Sequence, residues 1–350
     1  MEFAFSEDQE LLRTTVRDFL AGEAPVKRIR ELWNTDTGRS PELWAQLAEI
    51  GLPGLLVPEA RGGLGMNEID LVLLLQEAGR AALAEPLIST AAVAVPMIRD
   101  LGGTLADDWL EKIAAGDAIV AVSHPVNRFT SDAHVAGLLL LASDGEIHAV
   151  DPSQVEIVHQ PTNDPSRRIF GIEWTPTAAS RVAHGDSARR QLDAALDRGA
   201  FACSAQAIGV AQRLVEIAVA YATQRHQFGV PIGSFQAIKH ALANVQVAIE
   251  YAQPLVYRAA HSLATAVPSR SVDVSMAKRA ACSAAEQAAR TSLQVHGAIG
   301  YTWEQDLHVW MRRAWSLAGA WGNGAWHSRR VASALFDGTS PAETFGYSAP

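Results

Sequence analysis

Cysteine is scarce in this sequence: Cys203 and Cys282 are the only two in 350 residues. Neither has a second cysteine or a histidine at metal-ligand spacing, which argues against a disulfide framework and against a cysteine-based metal site. Both lie in alanine-rich helical runs and read as small packing residues in a reducing compartment. Basic residues are in deficit too, 29 Lys+Arg against 38 Asp+Glu, for a net charge of −9. Nucleic-acid binding needs a clustered basic footprint, which that balance does not provide. Long apolar runs are also missing. Leu71–Leu75 falls far short of the ~20 residues a membrane helix requires, and Met1–Glu7 lacks the basic and apolar regions of a secretory signal. A cytoplasmic chain with no metal, nucleic acid or membrane partner is expected. Internal repeats and low-complexity segments are absent as well.

What is present is apolar residue, 48% of the chain, enough to core two or three packed domains. The first third reads as helical. Ser6-Glu7-Asp8-Gln9 has the form of a capping box, followed by an apolar stripe through Leu11, Leu12, Val16, Phe19 and Leu20. Ser40-Pro41 starts a second helix that Gly51 ends, and Asn67 caps a third over Glu68 to about Ala84. Near residue 118 the pattern changes to short apolar runs: Ala118–Val122, Gly137–Ala142, Ile147–Val150, Val155–Val158 and Ile169–Trp174. Turn signals such as Ser143-Asp144-Gly145 and Thr162-Asn163-Asp164-Pro165 separate them, which predicts a small β-domain. Long alanine-rich helices then return: Gly199 to about Gln227, Phe235 to about Ala266 (with a kink at Pro254), Val272–Val295, Trp303 to about Ala318, and Ala325–Phe336. The last ten residues read as a frayed tail. The expected fold is α+β, mainly α: an N-terminal helical domain (1–117), an abbreviated central β-domain (118–186) and a C-terminal four-helix bundle (187–340).

Several segments are recognisable. Val57-Pro58-Glu59-Ala60-Arg61-Gly62-Gly63-Leu64-Gly65, Arg225-His226-Gln227-Phe228-Gly229 with Phe235-Gln236 and His240, Gln294-Val295-His296-Gly297-Ala298-Ile299-Gly300-Tyr301-Thr302, and Met311-Arg312-Arg313-Ala314 follow one another at set intervals. In motif, spacing and domain order nearly the whole chain resembles the FAD-dependent acyl-CoA dehydrogenase family. The resemblance implies an acyl-CoA thioester substrate, an external electron acceptor, a role in β-oxidation-type lipid metabolism and a dimer-of-dimers assembly. It also implies that Arg225, Gln236, Gln294, Val295, His296, Gly297 and Ala298 reach an FAD held mainly by a neighbouring subunit. The residue chemistry agrees. A guanidinium fork suits a pyrophosphate, glutamine amides both donate and accept, and glycines allow close backbone approach.

Other positions depart from the family pattern. The catalytic glutamate is expected either at Trp321, in Ala320-Trp321-Gly322-Asn323, or at Gly199, and neither position carries an acid. Asp197 is weighed as a substitute base, although helix geometry turns it away. The flavin-binding loop of the first strand reads Val122-Ser123-His124-Pro125-Val126-Asn127-Arg128-Phe129-Thr130-Ser131-Asp132, with its acid and its glycine missing. His124 is weighed as an acid–base residue against a structural role. The pattern resembles the base-lacking subunit of hetero-oligomeric actinobacterial acyl-CoA dehydrogenases, paired with a homologous glutamate-bearing chain that handles bulky, steroid-side-chain-like thioesters. Two rivals are a flavin-free structural or regulatory paralogue, and a self-sufficient flavoenzyme with a displaced base.

Overall fold

The computed structural model describes residues 4–337; the tail expected over the last ten residues lies outside them. Helices α1 (Glu7–Glu23), α2 (Val26–Leu32), α3 (Pro41–Glu49), α4 (Glu68–Arg80), α5 (Val95–Leu101) and α6 (Gly103–Ala115) build the N-terminal part, with a π-helical turn at Ile88–Ala94. Their starts are where the sequence places them. The Ser6 hydroxyl accepts from the Gln9 amide while Gln9 answers Ser6, completing the capping box. Ser40 caps α3 ahead of Pro41, and Asn67 caps α4 with Asp70 reciprocating. Helix α4 is buried along most of its length, as its Leu71–Leu75 run demands.

The central strands are β1 (Val120–Val122), β2 (Thr130–Ser131), β3 (Leu138–Ser143), β4 (Glu146–Val150), β5 (Glu156–Gln160), β6 (Ile169–Glu173) and β7 (Arg181–Ala183). They form two sheets, ordered β1-β3-β4-β7 and β2-β6-β5; only the β1–β3 pair is parallel. The π-helical turn docks β1 through Thr90, whose hydroxyl accepts from the Val120 amide and donates to its carbonyl. Strands β2 and β7 escape the sequence reading because each is too short to show a period.

The bundle comprises α7 (Gly185–Gln224), α8 (Gln236–Ala264), α9 (Arg270–His296), α10 (Leu307–Gly319) and α11 (Gly324–Phe336). A two-stranded ribbon, β8 (His226–Gln227) and β9 (Val230–Pro231), joins α7 to α8. Helix α7 starts at Gly185, well before the expected Gly199. Its first turns are rich in charge and bury only Ala188, Ala195 and Leu196 from an apolar stripe, too thin a signal to read in advance. Helix α8 continues through Pro254 as a single element. Helix α4 packs on α7 and α8, so the N-terminal part and the bundle share one core.

Candidate active site and cofactor surface

The two positions where a catalytic glutamate is expected face each other across one space. Trp321 follows α10 with a φ of 54°, an uncommon conformation for a bulky residue. Its amide donates to Asn127 Oδ1 (2.8 Å) and its carbonyl accepts from His327 Nε2 (2.8 Å), holding the turn. Opposite lies Gly199: a Cβ there would sit 2.2 Å from Trp321 Cδ2, well inside contact distance. The indole therefore occupies the space that a side chain at either position would need.

Neither candidate substitute is available. Asp197 is 1% exposed and is held by Ser271 Oγ (2.6 Å) and Arg330 Nη1 (2.5 Å), which makes it the buried half of an ion pair. His124 Nδ1 accepts from the Val126 amide (3.1 Å), so its Nε2–H donates to the Leu192 carbonyl (3.1 Å). Burial pushes the His124 pKa down to about 4. With both nitrogens engaged and the ring neutral at pH 7, His124 is structural. His327, fully buried and likewise pushed down to about 4 by burial, supports the Trp321 turn.

Beside Trp321 lies a cavity of about 80 Å³, bounded by Val122, Ser131 and Asp132 of the flavin-loop segment and by Cys203 and Gln206 of α7. Its rim carries two buried ion pairs. Arg39 Nε meets Asp132 Oδ1 at 3.1 Å, and Arg313 Nε meets Asp164 Oδ2 at 2.7 Å. Glu85 also lines it; burial raises this carboxyl to about 7, with Arg39 pulling the other way. The Trp321 indole and the two ion pairs take up the walls of this space, and none of the residues assigned to a flavin from the sequence lines it. The sequence reading missed Arg39, Glu85, Asp164 and Arg167 here. Its only signal was the Thr162-Asn163-Asp164-Pro165 turn, taken as a strand separator.

The residues assigned to a neighbouring flavin converge on the opposite, open end of the bundle. Arg225 is the exposed C-terminal cap of α7. Its carbonyl accepts from the Ile232 amide (2.8 Å), closing the ribbon around the Phe228-Gly229 turn. Gln236 begins α8, and Gln294, Gly297 and Ala298 end α9 and open the following 3₁₀ turn; all four are exposed. Val295 and His296 point inward instead. Val295 packs with Ala218, Ala222 and Leu242, while His296 stacks on Tyr221 at 4.2 Å, and burial lowers its pKa. Their side chains join the two turns, and only their backbone is left for a ligand. Phe228, 92% exposed, and Phe235 stand beside them as exposed apolar surface, their rings edge to face at 6.2 Å. Among the described residues, no group of three or more His, Cys, Asp or Glu side chains forms a metal site, and no helix is long and apolar enough to cross a membrane.

Comparison with known proteins gives a consistent picture. The family described as acyl-CoA dehydrogenase, N-terminal domain, matches residues 6–117, and the acyl-CoA dehydrogenase C-terminal domain matches residues 189–336. Acyl-CoA dehydrogenase IpdE2 of Mycolicibacterium smegmatis is 31% identical over 333 residues, covering 95% of this chain and all of that one. FadE34 of Mycobacterium tuberculosis is 34% identical over 93% of this chain but only 47% of its own length. Among solved structures, the Tcur3481-Tcur3483 steroid ACAD superposes with a TM-score of 0.86 at 23% identity, covering 95% of this chain and 98% of that one. The ChsE4-ChsE5 complex from Mycobacterium tuberculosis gives 0.84 at 23% identity, covering 96% and 99%.

Proposed function

Because the chain belongs to the acyl-CoA dehydrogenase family, we propose that it is the base-lacking subunit of an FAD-dependent acyl-CoA α,β-dehydrogenase, completed by a homologous glutamate-bearing partner. The observation that carries this reading is the Trp321 indole filling the space of both expected base positions while Arg225, Gln236 and Gln294 stay exposed at the far end of the bundle. Removing the α-proton of a thioester needs a positioned carboxylate. This chain supplies none there, since Asp197 is committed to Arg330. The proton acceptor therefore belongs to the partner.

This chain's own part is to hold a dinucleotide across the subunit interface. Arg225 would offer its guanidinium to the pyrophosphate, Gln236 and Gln294 would offer both donors and acceptors to the cofactor, and Gly297, at φ 63°, would let backbone approach closely. Bound FAD supplies the acceptor for the β-hydride, and an external acceptor takes the electrons onward. Two lines support a hetero-oligomeric dimer of dimers acting on bulky, steroid-side-chain-like thioesters. Two relatives are described as paired chains, one of them a steroid ACAD, and the match to FadE34 leaves about as much of that protein again unmatched.

The test is the flavin absorbance spectrum of the chain alone and co-expressed with a homologous glutamate-bearing chain. A colourless chain that becomes yellow in the complex, at one FAD per pair, is expected. Arg225→Ala should lower flavin retention by the complex about tenfold, the loss of one charge-assisted contact, while leaving the helical circular dichroism intact. Stoichiometric FAD on the lone chain would refute the shared site, and colourless material in both preparations would favour the flavin-free paralogue.

A further inference from the structure

A groove of about 490 Å³ opens between α3, α6 and the segments that lead into β1 and β3. Arg39 and Glu85 border both this groove and the cavity beside Trp321. Its walls are largely apolar, built from Trp44, Trp109, Pro41, Ala118, Ile119 and Ala136. Exposed Lys112 and Asp117 put one charge of each sign at the mouth, with Lys112 Nζ 5.2 Å from the Trp109 ring centre. The volume falls in the range of pockets that hold ring-sized organic ligands. Neither expected base position and none of the residues assigned to the flavin lines this groove.

Two side chains of its lining carry buried polar atoms without a partner among the described residues. Trp44 is 4% exposed, and its Nε1–H meets no acceptor. Glu85 is 5% exposed; its Oε1 accepts from the Ser40 amide (3.1 Å), while its Oε2 has no hydrogen bond. Arg39, the cation whose charge bears on Glu85, gives its own bonds to Asp132 and to the Gly38 and Ser166 carbonyls instead. Native structures rarely leave two such atoms on one concave surface without something to bond them.

The chemistry of the two atoms selects the ligand. An indole N–H only donates, so its partner must accept. The Glu85 carboxyl, raised to about 7 by burial, accepts when ionised and donates when protonated, so its partner must be able to do either. A hydroxyl meets both demands. A carboxylate or phosphate would face the Glu85 charge, and an ammonium would offer the indole no acceptor while adding a cation beside Arg39 and Lys112. Water alone would bond the two atoms but leave the aromatic and aliphatic walls wet. We propose that the groove binds a small neutral ring compound bearing a hydroxyl, an alcohol or a phenol, with its ring against Trp109 and Ile119 and its hydroxyl bonded to Glu85 and Trp44. The site does not depend on the reading given for the dinucleotide surface, and either can fail without the other.

The experiment is a calorimetric titration of the full chain at pH 7 with β-naphthol, its methyl ether, β-naphthoate and β-naphthylmethylammonium, which share one ring system and differ in the polar group. Saturable one-to-one binding of β-naphthol is expected, with a dissociation constant on the order of 0.1 mM for a ligand of this size. The methyl ether, which cannot donate to Glu85, should bind at least about fivefold more weakly, and the two charged compounds more weakly still. Trp44→Phe keeps the ring and removes the N–H, and should lower β-naphthol affinity about fivefold. Glu85→Leu should lower it about tenfold and abolish the preference for β-naphthol over its ether. If the Glu85 variant fails to fold, the ligand series and Trp44→Phe still decide. Absence of saturable β-naphthol binding by the wild type overturns the proposal. So does an ether or a charged compound that binds as tightly as β-naphthol, or β-naphthol binding that Trp44→Phe leaves unchanged.

Discussion

Burial gives the ionisable side chains opposing pH slopes. Glu85 is raised to about 7 from an ordinary carboxylate value near 4.5, with desolvation outweighing the pull of Arg39. Between about pH 4.5 and 7 the native chain keeps a proton that the unfolded chain has released, so this group makes stability fall as pH rises. His124 and His327 are held near 4 by burial. Between about pH 4 and 6.5 the unfolded chain takes up protons that these rings refuse, so they make stability rise with pH. The two effects oppose each other up to about pH 6.5; above that the histidine contribution no longer changes, and Glu85 alone still lowers stability up to about pH 7. Glu85→Gln keeps the acceptor for Ser40 and removes the ionisation. The variant should gain little at pH 5 and a few kcal/mol at pH 8, at ~1.4 kcal/mol per pKa unit, read from urea unfolding at both pH values. An equal gain at both would place the ordinary carboxylate range back on Glu85. At this scale the sequence showed what is missing, since Trp321 and Gly199 announce lost acids by themselves. It did not show Glu85, because a residue just past a helix end reads the same before tertiary contacts bury it.

Elements were legible in proportion to their caps and periods. Ser6, Ser40 and Asn67 marked three helix starts because capping is local chemistry. The early turns of α7 and the strands β2 and β7 carried no such mark. The crossing of α4 and α7 is a further case that only packing reveals. A Cβ on Gly209 would lie 1.8 Å from the Gln76 carbonyl oxygen, and one on Gly79 would lie 2.0 Å from the Gln206 carbonyl oxygen. The helices approach backbone to backbone through this pair of glycines, with no flexible side chain able to yield. Gly209→Ala should therefore destabilise the chain by more than about 4 kcal/mol, beyond the ~1–3 kcal/mol of ordinary overpacking. Helix propensity alone would make the same change favourable by up to about 1 kcal/mol. Chemical denaturation distinguishes the two by sign, and a variant as stable as wild type would mean the helices can separate freely.

Across the whole molecule, the loop between β5 and β6 links the helical and sheet parts. Ser166 receives Trp33 Nε1 (2.6 Å) through its hydroxyl and Arg39 Nη1 (2.8 Å) through its carbonyl, from the N-terminal segment. Arg168 returns a bond to the Trp33 carbonyl (3.1 Å). Asp164 and Arg167 reach the other way, to Arg313 and Ser316 on α10. A turn read from the sequence as a spacer thus joins three parts of the chain by charge and hydrogen bonding, while the shared apolar core follows the expected domain order. Removing one member of a buried pair leaves an uncompensated charge and costs about 3–5 kcal/mol, whereas replacing both by apolar residues can be near neutral. Asp164→Ala strands Arg313, which is 8% exposed at its side chain, and should destabilise by that amount. Asp164→Ala with Arg313→Met should recover most of the loss, short of the ~1 kcal/mol of the Ser166 amide bond that Asp164 Oδ1 also accepts. Hydrogen exchange should locate the single variant's loss in β5, β6 and α10 together, because the pair couples them. Strictly additive single-variant costs, or exchange confined to the loop, would show that the apolar core alone joins the sheets to the bundle.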